Sequence, residues 1–174
     1  MYCIGKGPSA TTVTGPDTTV PLGEEVLIKG TVTDQCAGAK KLVEDGKFSS
    51  VPAISDEDMG LWLEYLYMQK PMPTDAEGVE VVLTTFDPNG NTYEIGRTTS
   101  TNRGTFGCAV DLPVPGLYKI IASFEGSDSY YGSSAETYVI VEEAPAFCLR
   151  RRSSSTTARS SCKLLVSTTV GDCE

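Results

Sequence analysis

The 174-residue chain contains no histidine. This absence excludes a Ser-His-Asp or Cys-His nucleophile, an HExxH zinc site and a CxxCH haem attachment, because each of them needs an imidazole. Cysteines are few and irregularly spaced, and none forms the CxxC pair that is typical of zinc sites (Cys3, Cys36, Cys108, Cys148, Cys162 and Cys173). We therefore predict no catalytic residue, no metal site and no cofactor.

Long apolar runs are also missing. Nowhere do about 18 apolar residues follow one another, and residues 1–6 lack the apolar stretch that a signal peptide needs. The chain as given is then either cytosolic or a fragment of a longer precursor whose signal and anchor lie outside it. We predict no membrane span within it.

Basic residues are scarce in most of the chain, and the net charge is −9. A negative potential opposes contact with a phosphate backbone, so nucleic acid is not an expected partner. Residues 147–174 differ, because they hold five basic and two acidic residues. Their net charge is therefore +3, and that of the rest of the chain is −12. Residues 144–174 are serine-rich and short of apolar residues, and we predict a disordered tail.

Glycines and prolines, by contrast, are plentiful and divide the chain at short intervals, as in an all-β protein. Apolar and polar residues alternate between them, and Cys108 falls on an inward-facing, core position. The pattern predicts about seven strands forming a β-sandwich over residues 9–143. The predicted strands cover residues 9–15, 25–32, 78–86, 91–97, 105–112, 116–125 and 135–141.

The tightest turn signal is residues 87–90 (DPNG), which predicts a hairpin. Asp87, Asn89 and Asn91 are also oxygen donors of the kind that bind calcium. The run lacks the 12-residue loop with its terminal bidentate glutamate, however, so a plain turn is the preferred interpretation.

Residues 33–74 break the β rhythm and are predicted to be an insertion, with a loop followed by a helix that starts at Ser55 and stops before Pro71. Asp58 pairs with Ser55 as a cap, and the acidic residues 56–58 favour the positive end of the helix dipole. Met59, Trp62, Leu63 and Leu66 then form an apolar stripe that docks on the sandwich edge. The alternative is a binding platform made of Trp62, Tyr65 and Tyr67.

Three segments carry a resemblance to a known family: residues 112–118 (LPVPGLY), 121–131 (IASFEGSDSYY) and 133–137 (SSAET). They resemble the bacterial immunoglobulin-like (Ig-like) repeats of prokaryotic surface proteins, with weaker similarity upstream to residue 9. The resemblance implies that residues 116–118 start the penultimate strand. It also implies that Tyr118 is a tyrosine corner, its hydroxyl bonded to upstream backbone.

The helix (residues 59–71, MGLWLEYLYMQKP) together with residues 87–91 (DPNGN) is similar to the Ig-like domain that follows PQQ-binding-like β-propeller repeats in archaeal surface proteins. This narrower resemblance implies that residues 1–8 are the closing strand of an upstream propeller blade, or a linker. The quinone cofactor does not follow from it, because a complete propeller would build that site.

The resemblance implies a non-catalytic structural or adhesive module, extracellular or at the cell surface, with a protein or glycan partner. A second hypothesis is an accessory domain of a quinoprotein-like propeller enzyme in the same polypeptide. A third is a carbohydrate-binding module, for which exposed tyrosines are needed; Tyr130, Tyr131 and Tyr93 are the residues that would serve.

Overall fold

The computed structural model describes residues 5–143, and the chain there is mostly β, with 47% of residues in strands. This confirms the all-β prediction at the level of fold class. Eight strands are present in the described residues, one more than expected, because a two-residue strand was missed. The elements are β1 (Ser9–Thr14), β2 (Val20–Pro21), β3 (Val26–Asp34), α1 (Ala37–Glu44), α2 (Met59–Met68), β4 (Glu80–Phe86), β5 (Thr92–Thr99), β6 (Thr105–Val110), β7 (Gly116–Gly126) and β8 (Tyr131–Glu142).

The strands form two sheets. One has the order β1-β3-β6 and is antiparallel; the other has the order β2-β8-β7-β4-β5, in which only the β2–β8 pair is parallel. The first segment of the chain thus contributes a strand to each sheet, with Val20 opposite Val141 in the second. Two residues are too few to show alternation, which is why the sequence did not reveal β2.

Alternation along the longer strands directs one set of side chains into a single core. In β7 the alternate residues Tyr118, Ile120, Ala122 and Phe124 are all buried, and the residues between them are more exposed. Both sheets contribute to this core, and Cys108 packs partly buried against it. The core consists of Val13, Val26, Ile28, Val32, Ala53, Val79, Val81, Leu83, Phe106, Val110, Leu112, Tyr118, Ile120, Ala122, Phe124, Tyr130, Val139 and Val141.

The insertion between β3 and β4 contains two helices, not one. The segment predicted as a glycine- and alanine-rich loop forms α1, whose buried side chains are Ala39 and Leu42. Its stop signal is Gly46, which has φ +72° just beyond the C-cap and whose N–H donates to the Val43 carbonyl at 3.0 Å. A left-handed glycine after a helix is a common termination motif, so the signal was available in the sequence.

The second helix, α2, is shorter than predicted. It begins at Met59, after a turn over residues 56–58, so those acidic residues precede the helix instead of occupying its first turn. Asp58 occupies the N-cap position without a side-chain cap bond; its Oδ2 accepts from Ser55 Oγ at 3.2 Å and from the Glu77 N–H at 2.9 Å. The carboxylate of Asp58 therefore links the segments before and after the helix, because both of its partners lie outside the helix.

The predicted apolar stripe of α2 is only partly correct. Trp62 is buried, while Met59 and Leu66 pack partly buried against hydrophobic clusters. Leu63 is exposed, because the helix contacts the rest of the domain over a narrow face.

Two predictions lie wholly or partly outside the described residues. They are the tail over residues 144–174 and the first four residues of the propeller-strand segment 1–8. Within that segment Gly7 forms a parallel bridge with Tyr130. No helix among residues 5–143 is long and apolar enough to cross a membrane.

Candidate binding surface

One end of the domain brings together the insertion, the β7–β8 loop and the segment before β1. Gly7 donates its N–H to the Ser129 carbonyl at 2.8 Å and accepts from the Tyr131 N–H at 2.8 Å. Asp56, from the insertion, reaches the same loop. Segments distant in sequence thus form one continuous surface at this end.

Asp56 is the residue that joins the insertion to the loop. Its carboxylate accepts from Ser127 Oγ at 3.0 Å and from the N–H groups of Asp128 at 2.9 Å and Ser129 at 3.0 Å. Partial burial alone would raise the pKa of Asp56, but the hydrogen bonds from Ser129, Asp128 and Ser127 outweigh it, and the pKa is lowered. The charged form is therefore the one that holds the loop.

We expect Asp56→Ala to lower the free energy of unfolding by about 1 kcal/mol near neutral pH, since hydrogen bonds to a carboxylate are lost at a solvent-exposed site. Because the folded pKa is depressed, this contribution is complete above the ordinary aspartate pKa of about 3.9 and is lost as the pH falls through the folded pKa. Denaturant unfolding of both proteins from pH 7 downward measures it.

Glu57→Ala is the control, because Glu57 is the exposed neighbour and makes no side-chain hydrogen bond in the described residues. A stability difference between Asp56→Ala and the wild type that stays constant down to pH 2 would contradict the role given to the charged form.

Beneath this end lies a small polar cluster around Asp34. Its Oδ1 accepts from the Cys36 N–H at 2.7 Å, and its Oδ2 accepts from the Cys36 thiol at 3.3 Å and the Tyr130 hydroxyl at 3.4 Å. Cys36 is the N-cap of α1, its sulfur accepting from the Ala39 N–H at 3.4 Å. Burial raises the pKa of the Cys36 thiol, and the Asp34 charge raises it further, so the thiol stays protonated. The arrangement suits a structural cap and not a nucleophile.

The five residues predicted as a binding surface differ in their exposure to solvent. Trp62 is 2% exposed and Tyr130 is 4% exposed, so neither ring can contact a partner in this conformation. Trp62 packs on Tyr65, with ring centroids 5.3 Å apart, and Tyr65 is only partly exposed. Tyr67 and Tyr131 are exposed. The ring of Trp62 fills the narrow contact face of α2, and the ring of Tyr130 lies in the core. Rings packed in this way are not available at the surface.

The carbohydrate hypothesis loses its tyrosine pair for the same reason. Tyr131 is the first residue of β8 and Tyr130 directly precedes it, and successive residues of an extended chain point to opposite sides. Tyr131 is exposed while Tyr130 lies in the core, so the two cannot form a coplanar platform.

Sequence reasoning missed the apolar groove beside α2. The groove has a volume of about 470 Å³ and runs between the helix and the proline-rich segment that follows it. Its walls include Leu61, Pro71 and Met72, with carboxylates at Asp58 and Asp75. The signal was present, since only Glu64 is charged among the ten residues of α2; the stripe interpretation assumed that the apolar residues are buried.

At the opposite end of the domain, Asp87 uses its oxygens within its own turn. Oδ1 accepts from the N–H groups of Asn89 at 2.9 Å and Asn91 at 2.7 Å, and Oδ2 accepts from the Asn91 side-chain amide at 2.8 Å. The predicted hairpin turn is confirmed, because the carboxylate is occupied by the local bonds that such a turn needs. Among residues 5–143 there is no group of three or more Cys, Asp or Glu side chains arranged to hold a metal ion.

No family model matches the sequence, and no curated protein matches it significantly.

Proposed function

We propose that residues 9–143 form an Ig-like β-sandwich that serves as a non-catalytic structural and adhesive module of an extracytoplasmic surface protein. The end surface formed by the insertion and the β7–β8 loop is its binding face. The observation that carries the functional part is that Asp56 hydrogen-bonds the insertion to the β7–β8 loop. A surface held in place in this way loses less conformational freedom when it binds a partner.

The strand arrangement supports the Ig-like part. β1 pairs with β3 in one sheet, and β2, from the same initial segment, pairs in parallel with the last strand of the other. Residues of both sheets share one core, as expected of a sandwich.

The tyrosine-corner contact supports it further. Tyr118 is fully buried near the start of β7, and its hydroxyl accepts from the N–H of Val114, four residues upstream, at 2.9 Å. The Ig-like resemblance implies this kind of contact, and the bond stabilises the connection between β6 and β7.

A protein partner is favoured over a glycan. The most exposed side chains of α2 are Leu61 and Met68, which are aliphatic or thioether groups. Sugar rings are recognised best by flat aromatic faces, whereas protein side chains pack well on leucine and methionine.

The test is surface labelling of intact source cells with a membrane-impermeant, amine-reactive reagent. We expect the chain to be labelled before lysis, since the lysines within residues 5–143 are at the surface; Lys119, for example, is partly exposed in β7. A cytosolic protein of the same cells, followed in parallel, is the control for leakage. Labelling only after lysis would contradict an extracytoplasmic module.

A further inference from the structure

Helix α2 has an unusual composition for a surface helix. It is apolar around nearly its whole circumference, yet Trp62 is its only fully buried residue. A helix of this kind is normally buried on several sides. On α2 and just after it, large apolar side chains remain open to solvent within residues 5–143, namely Leu61, Leu63, Tyr67, Met68 and Met72.

Two of these exposed residues, Leu61 and Met72, line the 470 Å³ groove described above. Leu61 lies on the wall that the helix forms and is 59% exposed, and Met72 lies on the opposite wall and is also exposed. Pro71 and Pro73 fix the backbone of that second wall, because the ring of proline locks φ. The groove is thus an apolar slot between helix α2 and a proline-containing wall whose backbone is restricted.

The charges around the groove select the partner. Three carboxylates line it (Asp58, Glu64 and Asp75), against one ammonium group, Lys70, which pairs with Glu64 at 2.7 Å. The surrounding molecule is also strongly acidic. A second copy of the chain would bring like charges together, which disfavours it as the occupant.

We infer that the groove beside α2 binds a cationic amphipathic segment of a partner protein, with apolar side chains in the slot and a flanking lysine or arginine at Asp75. The inference rests on the proposed function, because it gives an adhesive module a kind of partner and a place on the insertion where that partner binds. Apolar contact supplies affinity, and the carboxylates set the charge preference and accelerate association.

The test is calorimetric titration of the full chain with a synthetic amphipathic helix of leucine and lysine. The same peptide with glutamate in place of lysine is the charge control. We expect binding of the lysine peptide that weakens as salt is raised, and no detectable binding of the glutamate peptide. Equal binding of both peptides, or of neither, would overturn the inference.

Location is tested with the double variant Leu61→Ser/Met72→Ser, whose exposed positions leave the core intact. We expect its affinity for the lysine peptide to fall by at least about tenfold. Leu117→Ser, on the outer face of the five-stranded sheet and 55% exposed, is the matched control and should change affinity by less than about twofold.

Equal effects of the groove and control variants would place the peptide elsewhere and overturn the inference. So would self-association of the chain by sedimentation that Leu61→Ser/Met72→Ser abolishes, because a second copy would then occupy the groove. Failure of the peptide to bind leaves the surface-labelling result unchanged, so the two proposals fail separately.

Discussion

Replacing Tyr118 by alanine is expected to lower the free energy of unfolding by about 3–5 kcal/mol, as for other large aromatic side chains removed from a core. Tyr118 is fully buried at the centre of the larger sheet, in β7, between β8 and β4. For a domain with typical stability, about 5–15 kcal/mol in total, this loss is a large fraction. Denaturant unfolding followed by far-UV circular dichroism measures it.

The Tyr118→Phe variant isolates the hydroxyl. We expect its free energy of unfolding to be about 1–2 kcal/mol lower than that of the wild type, because the N–H of Val114 loses its acceptor. Tyr138→Phe is the matched control: that hydroxyl is exposed and contacts Glu136 at 3.3 Å, and its removal should change stability by less than about 0.5 kcal/mol. If Tyr118→Phe is as stable as the wild type, the corner contact does not stabilise the fold.

Replacing Trp62 by alanine is also expected to lower the free energy of unfolding by about 3–5 kcal/mol. Its ring packs with Ile54 and Ala76 in the cluster that holds α2 in place. Since Trp62 is the only tryptophan, unfolding of the variant is followed by circular dichroism and not by fluorescence. Leu63→Ala, on the exposed side of the same helix, is the control and should cost less than about 1 kcal/mol.

Trp62→Phe refines this prediction. The indole Nε1–H of Trp62 is buried and has no hydrogen-bond partner among the described residues, which by itself is unfavourable. Phenylalanine removes that donor while keeping an aromatic ring at the position. We therefore expect the free energy of unfolding to fall by only about 1–2 kcal/mol. If Trp62→Ala costs no more than Leu63→Ala, the assigned docking of α2 through Trp62 is contradicted.

The strands were predictable because alternation, turn residues and length agreed locally. Residues 116–125 were predicted as a strand from their alternation, and β7 covers the same residues with alternate side chains buried. The turn at Asp87 was equally clear, since its bonds are made within five residues. Such features depend on near neighbours, which the sequence displays directly.

The candidate site was less predictable, because it depends on contacts between distant segments. Apolar periodicity placed both Trp62 and Leu63 on the docking stripe of α2, but only Trp62 is buried and Leu63 is exposed. Asp56 was interpreted from its neighbours as a helix-dipole residue, whereas its partners lie more than 70 residues away.

The sequence by itself determined the β class, the inward residues of the long strands and the hairpin turn, since each follows from local backbone preference and side-chain periodicity. Only the tertiary structure decided that the first segment divides between two sheets, that Asp56 joins the insertion to the β7–β8 loop, and that α2 leaves an apolar groove uncovered. The physical reason is that burial and long-range hydrogen bonding belong to pairs of segments, and neither member of such a pair carries the information alone.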